Sequence, residues 1–233
     1  MVGRPQRSRP GEAETERAAL PRRDPEARAR LRAVDEVARP VVLARERALV
    51  VPGELGSLLP GGTLRRGLTA TVGGTLGSGV TSLALTLAAA ATATGEWAAA
   101  VDIDGTLSGE AAQAAGVALE RFAVLRDVEP ARWAVSVAAL LDGVTLVVAE
   151  LPRHVSHGDA RRLVARTRER GAVLVVVSTT ARWPADAGLR LVAAGGHWRG
   201  LHDGDGLLGH RDLAVRVDGQ GVAARTRDGV LVA

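Results

Sequence analysis

Two uninterrupted runs of valine and leucine constrain the fold of this chain more than any other feature of its sequence. They are "VTLVVAE" at 144–150 and "AVLVVVST" at 172–179, and a helix-like segment at 157–170 separates them. Strands that are apolar at every position are typical of a parallel sheet with both faces covered. A helix between two strands is the usual connection in such a sheet. These runs therefore predict an α/β fold.

The same alternation of strands and helices extends over the middle of the chain. Strands are expected at 68–72, 97–103, 121–128, 144–150 and 172–179, and helices at 80–94, 108–118, 130–141 and 157–170. After residue 187, short alternations of Val, Leu and Arg are separated by Gly and Asp, which predicts antiparallel strands or hairpins. The expected architecture is a mostly parallel central sheet flanked by helices, followed by C-terminal antiparallel strands.

Composition divides the chain into four expected segments. Residues 1–24 are rich in Arg, Glu and Pro, which is typical of a flexible charged tail. Residues 25–50 are expected to be a helical segment, because "PEARARLRAVDEVARP" has apolar residues every three positions and ends at Pro40. Residues 51–200 are expected to form the core, and residues 201–233 a C-terminal β segment.

The residue types that are missing exclude several classes of protein. The 233 residues include no cysteine, so disulfides and thiolate metal sites are excluded. No apolar run reaches the roughly 20 residues that cross a bilayer, and no apolar stretch follows the basic N-terminus as it does in a signal peptide. We therefore expect a cytoplasmic protein with no membrane partner. All 30 basic residues are arginines, so the chain contains no lysine.

The segment "GGTLGSGVTS" at 73–82 has the spacing of a phosphate-binding loop, G-x-x-x-x-G-K-[ST]. It lies between an expected strand and an expected helix, where glycines can turn backbone N–H groups inward and the helix N-terminus is partly positive. The lysine position holds Val80, and the chain has no other lysine to replace it. Because phosphoryl transfer needs fixed cations, ATP hydrolysis is not expected. A purely structural glycine turn is the alternative.

The candidate nucleotide-binding residues are the glycines and hydroxyl residues of this loop. They are Gly74, Gly77, Ser78, Gly79, Thr81 and Ser82. Weak binding of ATP through the backbone, without hydrolysis, stays open as an interpretation of the loop.

Three acidic residues are expected at the same edge of the sheet as this loop. Asp102 and Asp104 follow the second strand and Glu150 ends the fourth, and open parallel sheets bind ligands at the carboxyl ends of their strands. One interpretation is that Thr81 and Asp102 bind magnesium, while Asp104 and Glu150 remain from a catalytic pair. The other, which we favour because Val80 replaces the lysine, is that the acids cap helices and strand ends.

The expected helix at 157–170 is strongly basic outside its apolar face. Ala160, Leu163, Val164 and Thr167 share one face. The remaining surface carries five arginines: Arg161, Arg162, Arg166, Arg168 and Arg170. They form either a solvated surface or a contact for DNA phosphates or an acidic protein surface. His154 and His157 flank a loop with Asp159, but no further ligands accompany them, so we interpret them as solvated.

Longer segments of the chain resemble the RecA superfamily. "LGSLLPGGTLRRGLTATVGGTLGSGVTSLAL" resembles the RecA-type entry into a phosphate loop, and "GEWAAAVDIDGTLSGEAAQAAGVALERFAVLR" resembles the segment with the acidic strand end. Within the superfamily, the chain is most similar to short actinobacterial proteins of the ImuA-prime type, also described as RecA-like or SulA-like. "ARWPADAGLRLV" and "HWRG" also look like this family, so that the resemblance covers about residues 27–200.

The resemblance implies a RecA-like P-loop fold and a specific cellular role. Gly74, Gly79 and Thr81 match Walker A positions, Asp104 falls where RecA proteins have a catalytic glutamate, and Glu150 lies near the acidic end of the Walker B strand. The implied function is that of a non-catalytic accessory factor in DNA damage-induced translesion synthesis. Its implied partners are an ImuB-type homologue of Y-family polymerases and, indirectly, an error-prone replicative-type DNA polymerase.

Two other functions are compatible with the same resemblance. One is a RecA-type ATPase that binds DNA, and the other is a SulA-like inhibitor of cell division. The accessory factor would be cytoplasmic and would associate with the nucleoid when it is recruited to DNA.

Overall fold

The structure is a computed structural model that describes residues 48–202, 205–219 and 226–232. The charged tail expected at 1–24 and the helix expected from Pro25 to Pro40 lie outside the described residues. In the described residues, the strands are β1 (Ala48–Val50), β2 (Thr63–Arg65), β3 (Thr69–Gly74), β4 (Ala98–Asp102), β5 (Phe122–Arg126), β6 (Leu146–Glu150), β7 (Val173–Ser178), β8 (Leu189–His202), β9 (Asp205–Gly219) and β10 (Arg227–Val232).

The described helices all precede β8 and connect the strands before it. They are α1 (Gly53–Leu58), α2 (Val80–Thr92), α3 (Gly109–Ala114), α4 (Trp133–Gly143) and α5 (His157–Arg170). Short 3-10 turns occupy Pro60–Gly62 and Leu119–Arg121. No helix in the described ranges is long and apolar enough to cross a membrane.

The central sheet has the strand order β10-β9-β8-β3-β7-β6-β4-β5. The pairs from β8 to β5 are parallel, whereas β8 with β9 and β9 with β10 are antiparallel. β1 and β2 form a separate antiparallel pair. The expected mostly parallel sheet with flanking helices and C-terminal antiparallel strands is therefore confirmed.

Both faces of the central strands are covered, as the valine and leucine runs predict. Along β6, Leu146 and Val148 belong to the apolar cluster that contains α2, while Val147 and Ala149 belong to the cluster that contains α4 and α5. Successive side chains of a strand point to opposite faces, so a strand in the middle of three layers is apolar throughout. The helix α2 is almost uniformly apolar because it lies beneath the sheet and is buried over most of its surface.

Several boundaries differ from those expected from the sequence. The helix expected over 108–118 ends at Ala114, because the chain turns at Gly116, which has a φ of 86°. Residues 48–50 form β1 rather than the end of a helical segment. The division expected at residue 200 falls inside β8, which continues to His202.

Candidate functional site

The carboxyl ends of three parallel strands bring the glycine loop and the three predicted acidic residues to one edge of the sheet. β3 ends at Gly74, β4 at Asp102 and β6 at Glu150, and β7 separates β3 from β6. Asp104 follows β4 at this edge and is exposed. The glycine loop and the three acidic residues thus share the edge at which open parallel sheets bind ligands.

The glycine loop has the turns that its sequence suggests. Gly77 and Gly79 have φ values of 74° and 100°. Residues other than glycine adopt such values only with backbone strain. The Ser78 N–H donates to the Thr75 carbonyl at 3.0 Å, and α2 begins directly afterwards at Val80. The first N–H groups of a helix have no acceptor within it, so the helix start keeps donors directed toward this loop.

Val80 lies under the loop instead of projecting from it. Its side chain is 4% exposed and belongs to the core cluster around α2. A β-carbon added at Gly74 would lie 2.8 Å from the Val80 Cγ2 atom and 2.6 Å from the Ala193 carbonyl, and would contact the Ser78 hydroxyl. Position 80 therefore contributes to packing, and position 74 must be glycine to accommodate it.

The loop is also packed against the C-terminal strands, which the sequence did not indicate. A β-carbon at Gly79 would lie 2.5 Å from Cδ1 of Leu213 on β9. The Ser78 hydroxyl is buried and has no hydrogen-bond partner in the described residues. Thr81 and Ser82 are exposed at the start of α2, where their hydroxyl groups are accessible.

Asp102 is buried and holds the turn that follows β4. Its Oδ1 atom accepts from the Thr106 N–H at 3.0 Å, and its Oδ2 atom accepts from the Leu107 N–H at 3.1 Å and from Nε of Arg126 at 3.2 Å. Arg126 also donates to the Leu107 carbonyl. Both carboxylate oxygens are thus engaged in the fold, which favours the structural interpretation over magnesium binding.

Glu150 holds the same turn from the neighbouring strand. Its Oε2 atom accepts from the N–H groups of Ile103 at 2.7 Å and Asp104 at 3.1 Å. Its backbone carbonyl accepts from the indole N–H of Trp133 at 2.8 Å. Burial raises the pKa of the Glu150 carboxyl; the two backbone hydrogen bonds oppose this rise, and the Asp104 carboxylate adds to it.

The space between the loop and these acids is small. A cavity of about 40 Å³ is lined by Thr81, Asp102, Glu150, Thr106 and apolar neighbours. Thr81 is the sole hydroxyl of the loop that lines it, and the described ranges contain no group of three or more His, Asp or Glu residues placed to hold a metal. Val80 is buried at the lysine position and both oxygens of Asp102 are engaged by the fold, so these two residues do not supply the charge and the free ligand of a magnesium–ATP centre.

The raised pKa of Glu150 predicts a pH dependence of stability. Because the folded protein keeps the proton to a higher pH than the unfolded chain, it binds more protons above the ordinary pKa of 4.5. The contribution of Glu150 to the free energy of unfolding therefore falls as pH rises through the folded pKa. Urea unfolding of wild type and Glu150→Gln should show wild type losing stability relative to the variant as pH rises above the ordinary pKa of 4.5. A constant difference on both sides of this pH would contradict the assignment.

The five arginines of α5 do not form one continuous surface. Arg162 pairs with Asp159 at 3.0 Å, Arg166 donates to Asp142 through Nε at 2.7 Å, and Arg170 lies 2.9 Å from Asp142. The hydrogen bond from Arg166 holds the pKa of the Asp142 carboxyl below its ordinary value. These three arginines are thus partly neutralised by neighbours within the fold.

Arg161 and Arg168 are exposed and have no ion pair within the described ranges. They lie on the side of α5 away from Asp142, toward the segment at 179–188. His154 and His157 are exposed as expected. The apolar face predicted for α5 is confirmed, since Ala160, Leu163, Val164 and Thr167 are all buried.

Sequence reasoning missed two residues that complete the edge, Arg126 and Trp133. Arg126 lies on β5 directly opposite Asp102 in the register of the parallel pair. A signal was present, since an arginine and an aspartate end two strands of similar length, but the pairing of β4 with β5 was needed to align them. Trp133 begins α4 and is 1% exposed, so its indole N–H can donate only to an acceptor inside the protein.

Comparison with known proteins places these features in a family. The uncharacterized protein Rv3395c of Mycobacterium tuberculosis is 39% identical over 150 residues, which cover 61% of this chain and 68% of the relative. Residues 57–185 match the family model described as the MT3502 N-terminal domain, and this range includes the glycine loop, Asp102, Glu150 and α5. The chain therefore belongs to the MT3502 N-terminal domain family.

Proposed function

We propose that this protein is a non-catalytic accessory factor with a RecA-like P-loop core, which acts in DNA damage-induced translesion synthesis. It would work through protein–protein contacts with an ImuB-type polymerase homologue and, through that partner, with an error-prone replicative-type DNA polymerase. The observation that carries the proposal is the burial of Val80 beneath a glycine loop that otherwise keeps its turns. A loop that keeps this shape but lacks the lysine charge is suited to binding and not to phosphoryl transfer.

The acidic residues support the same reading of the loop. Asp102 and Glu150 accept hydrogen bonds from the turn after β4, so their oxygens stabilise the edge of the sheet. A catalytic carboxylate must instead be positioned to receive a proton from water or to hold a metal. Asp104 is exposed, and its backbone N–H donates a hydrogen bond to the Glu150 carboxylate. These hydrogen bonds hold the turn after β4 in place, and a preorganised surface loses less entropy when a partner binds.

The proposal places the protein in the cytoplasm, at the nucleoid when its partners are recruited to DNA. ATP could occupy the loop only through backbone donors and the hydroxyl groups of Thr81 and Ser82, with no turnover. DNA would be reached mainly through the polymerase partners. RecA-type ATP hydrolysis and SulA-like inhibition of cell division are the outcomes that the following test would separate.

Deletion of the gene in its own host is expected to abolish most of the increase in mutation frequency that follows ultraviolet damage. Complementation with wild type or with Thr81→Ala should restore it equally, because the proposed function does not use hydrolysis. Purified protein should release no phosphate from ATP, with or without single-stranded DNA. The measurements are mutation frequency per surviving cell and phosphate release.

The controls address the alternatives directly. Affinity purification after damage should recover the ImuB-type homologue with both wild type and Thr81→Ala. DNA-stimulated ATP turnover that Thr81→Ala removes would identify a RecA-type ATPase instead. Filamentous growth on overexpression, together with unchanged damage-induced mutation in the deletion strain, would identify an inhibitor of cell division.

A further inference from the structure

A groove runs along α5 on the side away from Asp142. Its larger part, about 870 Å³, lies between α5 and the segment at 179–188. Its smaller part, about 320 Å³, is formed with the turn at 65–69 that leads into β3. The two parts share Val164, Arg168 and Asp186, so they are continuous. We refer to them together as the α5 groove.

The lining of the α5 groove is strongly cationic. Its arginines are Arg65, Arg66, Arg161, Arg168 and Arg182. Arg66 donates to Glu96, and the other four have no ion pair within the part of the chain that the structure describes. One acidic residue, Asp186, is among the lining residues. Three different segments of the chain contribute these charges, which is why the sequence alone did not indicate the groove.

The topology places the arginines at the two ends of the groove. α5 and the segment at 179–188 both run from the carboxyl edge of the sheet toward the edge at which β8 begins. Arg161 and Arg182 therefore lie toward one end, and Arg168 lies with Arg65 and Arg66 toward the other. At that second end, Gly67 has a φ of 80°, and its N–H donates to the Ala172 carbonyl at 2.7 Å.

Gly67 allows the turn before β3 to approach α5 closely at the second cationic end. A β-carbon added at this glycine would lie 3.3 Å from the Cα atom of Arg168, so the turn before β3 contacts the last turn of α5 closely. The backbone of Gly67, which follows Arg66 in the chain, thus packs directly against that of Arg168. The side chain of Arg66 is partly buried, and its Nε atom has no acceptor in the described residues.

The middle of the groove is apolar. Its lining residues there are Val164, Ala165, Trp183, Pro184 and Ala185. Trp183 is 8% exposed, and its indole N–H is buried without an acceptor in the described ranges. A ligand that supplies apolar side chains would complement this stretch.

We propose that the α5 groove binds an extended peptide segment of a partner protein, in which two acidic residues three positions apart flank apolar ones. Arg161 and Arg168 are separated by seven residues of helix, or about 10.5 Å. In the extended polyproline II conformation, which has three residues per turn, residues three apart lie on the same side of the chain and are about 9 Å apart. Carboxylates at this spacing reach both cationic ends, while the two residues between them project toward the walls of the apolar middle. Arginine holds carboxylates well, because its donors form a planar fork.

The lining favours a peptide over a nucleic acid. A single strand carries a phosphate at every nucleotide, and proteins that bind such strands usually stack bases on exposed aromatic rings. Among the lining residues, Trp183 is the one Phe, Trp or Tyr residue, and its ring is too buried for stacking. The apolar middle also offers no partner for successive phosphates. This inference specifies the partner chemistry of the proposed accessory function and in that sense rests on it, but the binding itself is tested without that function.

The test uses the full-length protein and an array of synthetic 12-residue peptides in which the spacing of two glutamates and the residues between them are varied. A fluorescein-labelled oligothymidine of about 20 nucleotides is the competing probe. The groove variant is Arg161→Glu with Arg168→Glu. The matched control is Arg132→Glu with Arg153→Glu, which changes the charge equally at exposed positions outside the groove. The single change Arg182→Glu tests the same groove from a different segment if the double variant does not fold.

Peptides with glutamates three positions apart and apolar residues between them should bind wild type and the control most tightly. The groove variants should bind them at least about tenfold more weakly, because charge-assisted hydrogen bonds are replaced by repulsion. Peptides with lysine in place of both glutamates should bind the double variant in preference to wild type. Equal binding by wild type and the groove variants, no dependence on glutamate spacing, or tighter binding of the oligothymidine that the groove variants lose would each overturn the proposal. All of these outcomes are independent of mutation frequency in cells, so they are distinguishable from failure of the proposed function.

Discussion

Replacing Asp102 by alanine is expected to lower the free energy of unfolding by about 3 kcal/mol, because it removes the acceptor of two backbone N–H groups and of one guanidinium group. The carboxylate is 3% exposed, and it bonds Thr106, Leu107 and Arg126. The arginine side chain is half exposed and can be hydrated after the change, so most of the loss comes from the backbone donors. Urea unfolding monitored by circular dichroism measures this loss.

The matched control for this prediction is Asp104→Ala, two residues along the same turn. Asp104 is exposed, and the hydrogen bond that it contributes is through its backbone N–H, which alanine retains. Its replacement should therefore change the free energy of unfolding by no more than about 0.5 kcal/mol. A loss below about 1 kcal/mol for Asp102→Ala would mean that the turn is held by other contacts. Equal losses for the two variants would lead to the same conclusion.

Replacing Trp133 by alanine is expected to have a still larger effect, about 4 kcal/mol, because it empties a fully buried aromatic site. The indole is 1% exposed and packs edge-to-face against Trp183 with ring centroids 6.4 Å apart. It also donates to the backbone carbonyl of Glu150 at 2.8 Å, which fixes the end of β6. The change therefore weakens both the core beneath α4 and the edge that carries the glycine loop.

Trp97→Ala is the control, since this tryptophan is 48% exposed. Its replacement should cost about 1 kcal/mol or less. Trp133→Phe should fall between the two, because it keeps most of the apolar volume and removes the N–H donor. Urea unfolding followed by far-ultraviolet circular dichroism avoids any dependence on the fluorescence of the residue replaced. If Trp133→Ala and Trp97→Ala had equal effects, the buried position of Trp133 would be contradicted.

The order and type of the central elements could be predicted from the sequence, because each depends mostly on local pattern. The valine and leucine runs of β6 and β7 and the apolar helix α2 were predicted to within a few residues. Boundaries were less predictable where the chain turns for reasons of packing. The early end of α3 depends on a left-handed glycine after it, and a glycine at that position is also compatible with a longer helix.

The candidate site could be placed at an edge of the sheet from the sequence, but its chemistry could not. Strand ends are visible as acidic residues after apolar runs, so Asp102 and Glu150 were identified. Whether their oxygens face a ligand or the protein depends on the turn at 103–107, which approaches both from the side. That turn has no pattern in the sequence from which its approach could be deduced.

Which arginines of α5 are neutralised by acidic neighbours could also not be predicted from the sequence. Helical periodicity separates the buried face from the charged one, which is why the apolar residues of α5 were predicted correctly. It does not indicate which arginines are neutralised, because Asp142 belongs to α4 and lies 24 residues away from Arg166 along the chain. The cationic ends of the α5 groove likewise require Arg65 and Arg182, which are brought to Arg161 and Arg168 by the order of the strands.

The sequence by itself thus determined the α/β class of the core, the location of the glycine loop and the absence of a lysine from it. These follow from the period of apolar residues and from the identity of single residues, which do not depend on distant contacts. The tertiary structure decided that Val80 belongs to the core, that Asp102 and Glu150 hold a turn, and that arginines from three segments line one groove. Each of these depends on which atoms the packing of the sheet brings within hydrogen-bonding or van der Waals distance, and residues far apart in the chain supply those atoms.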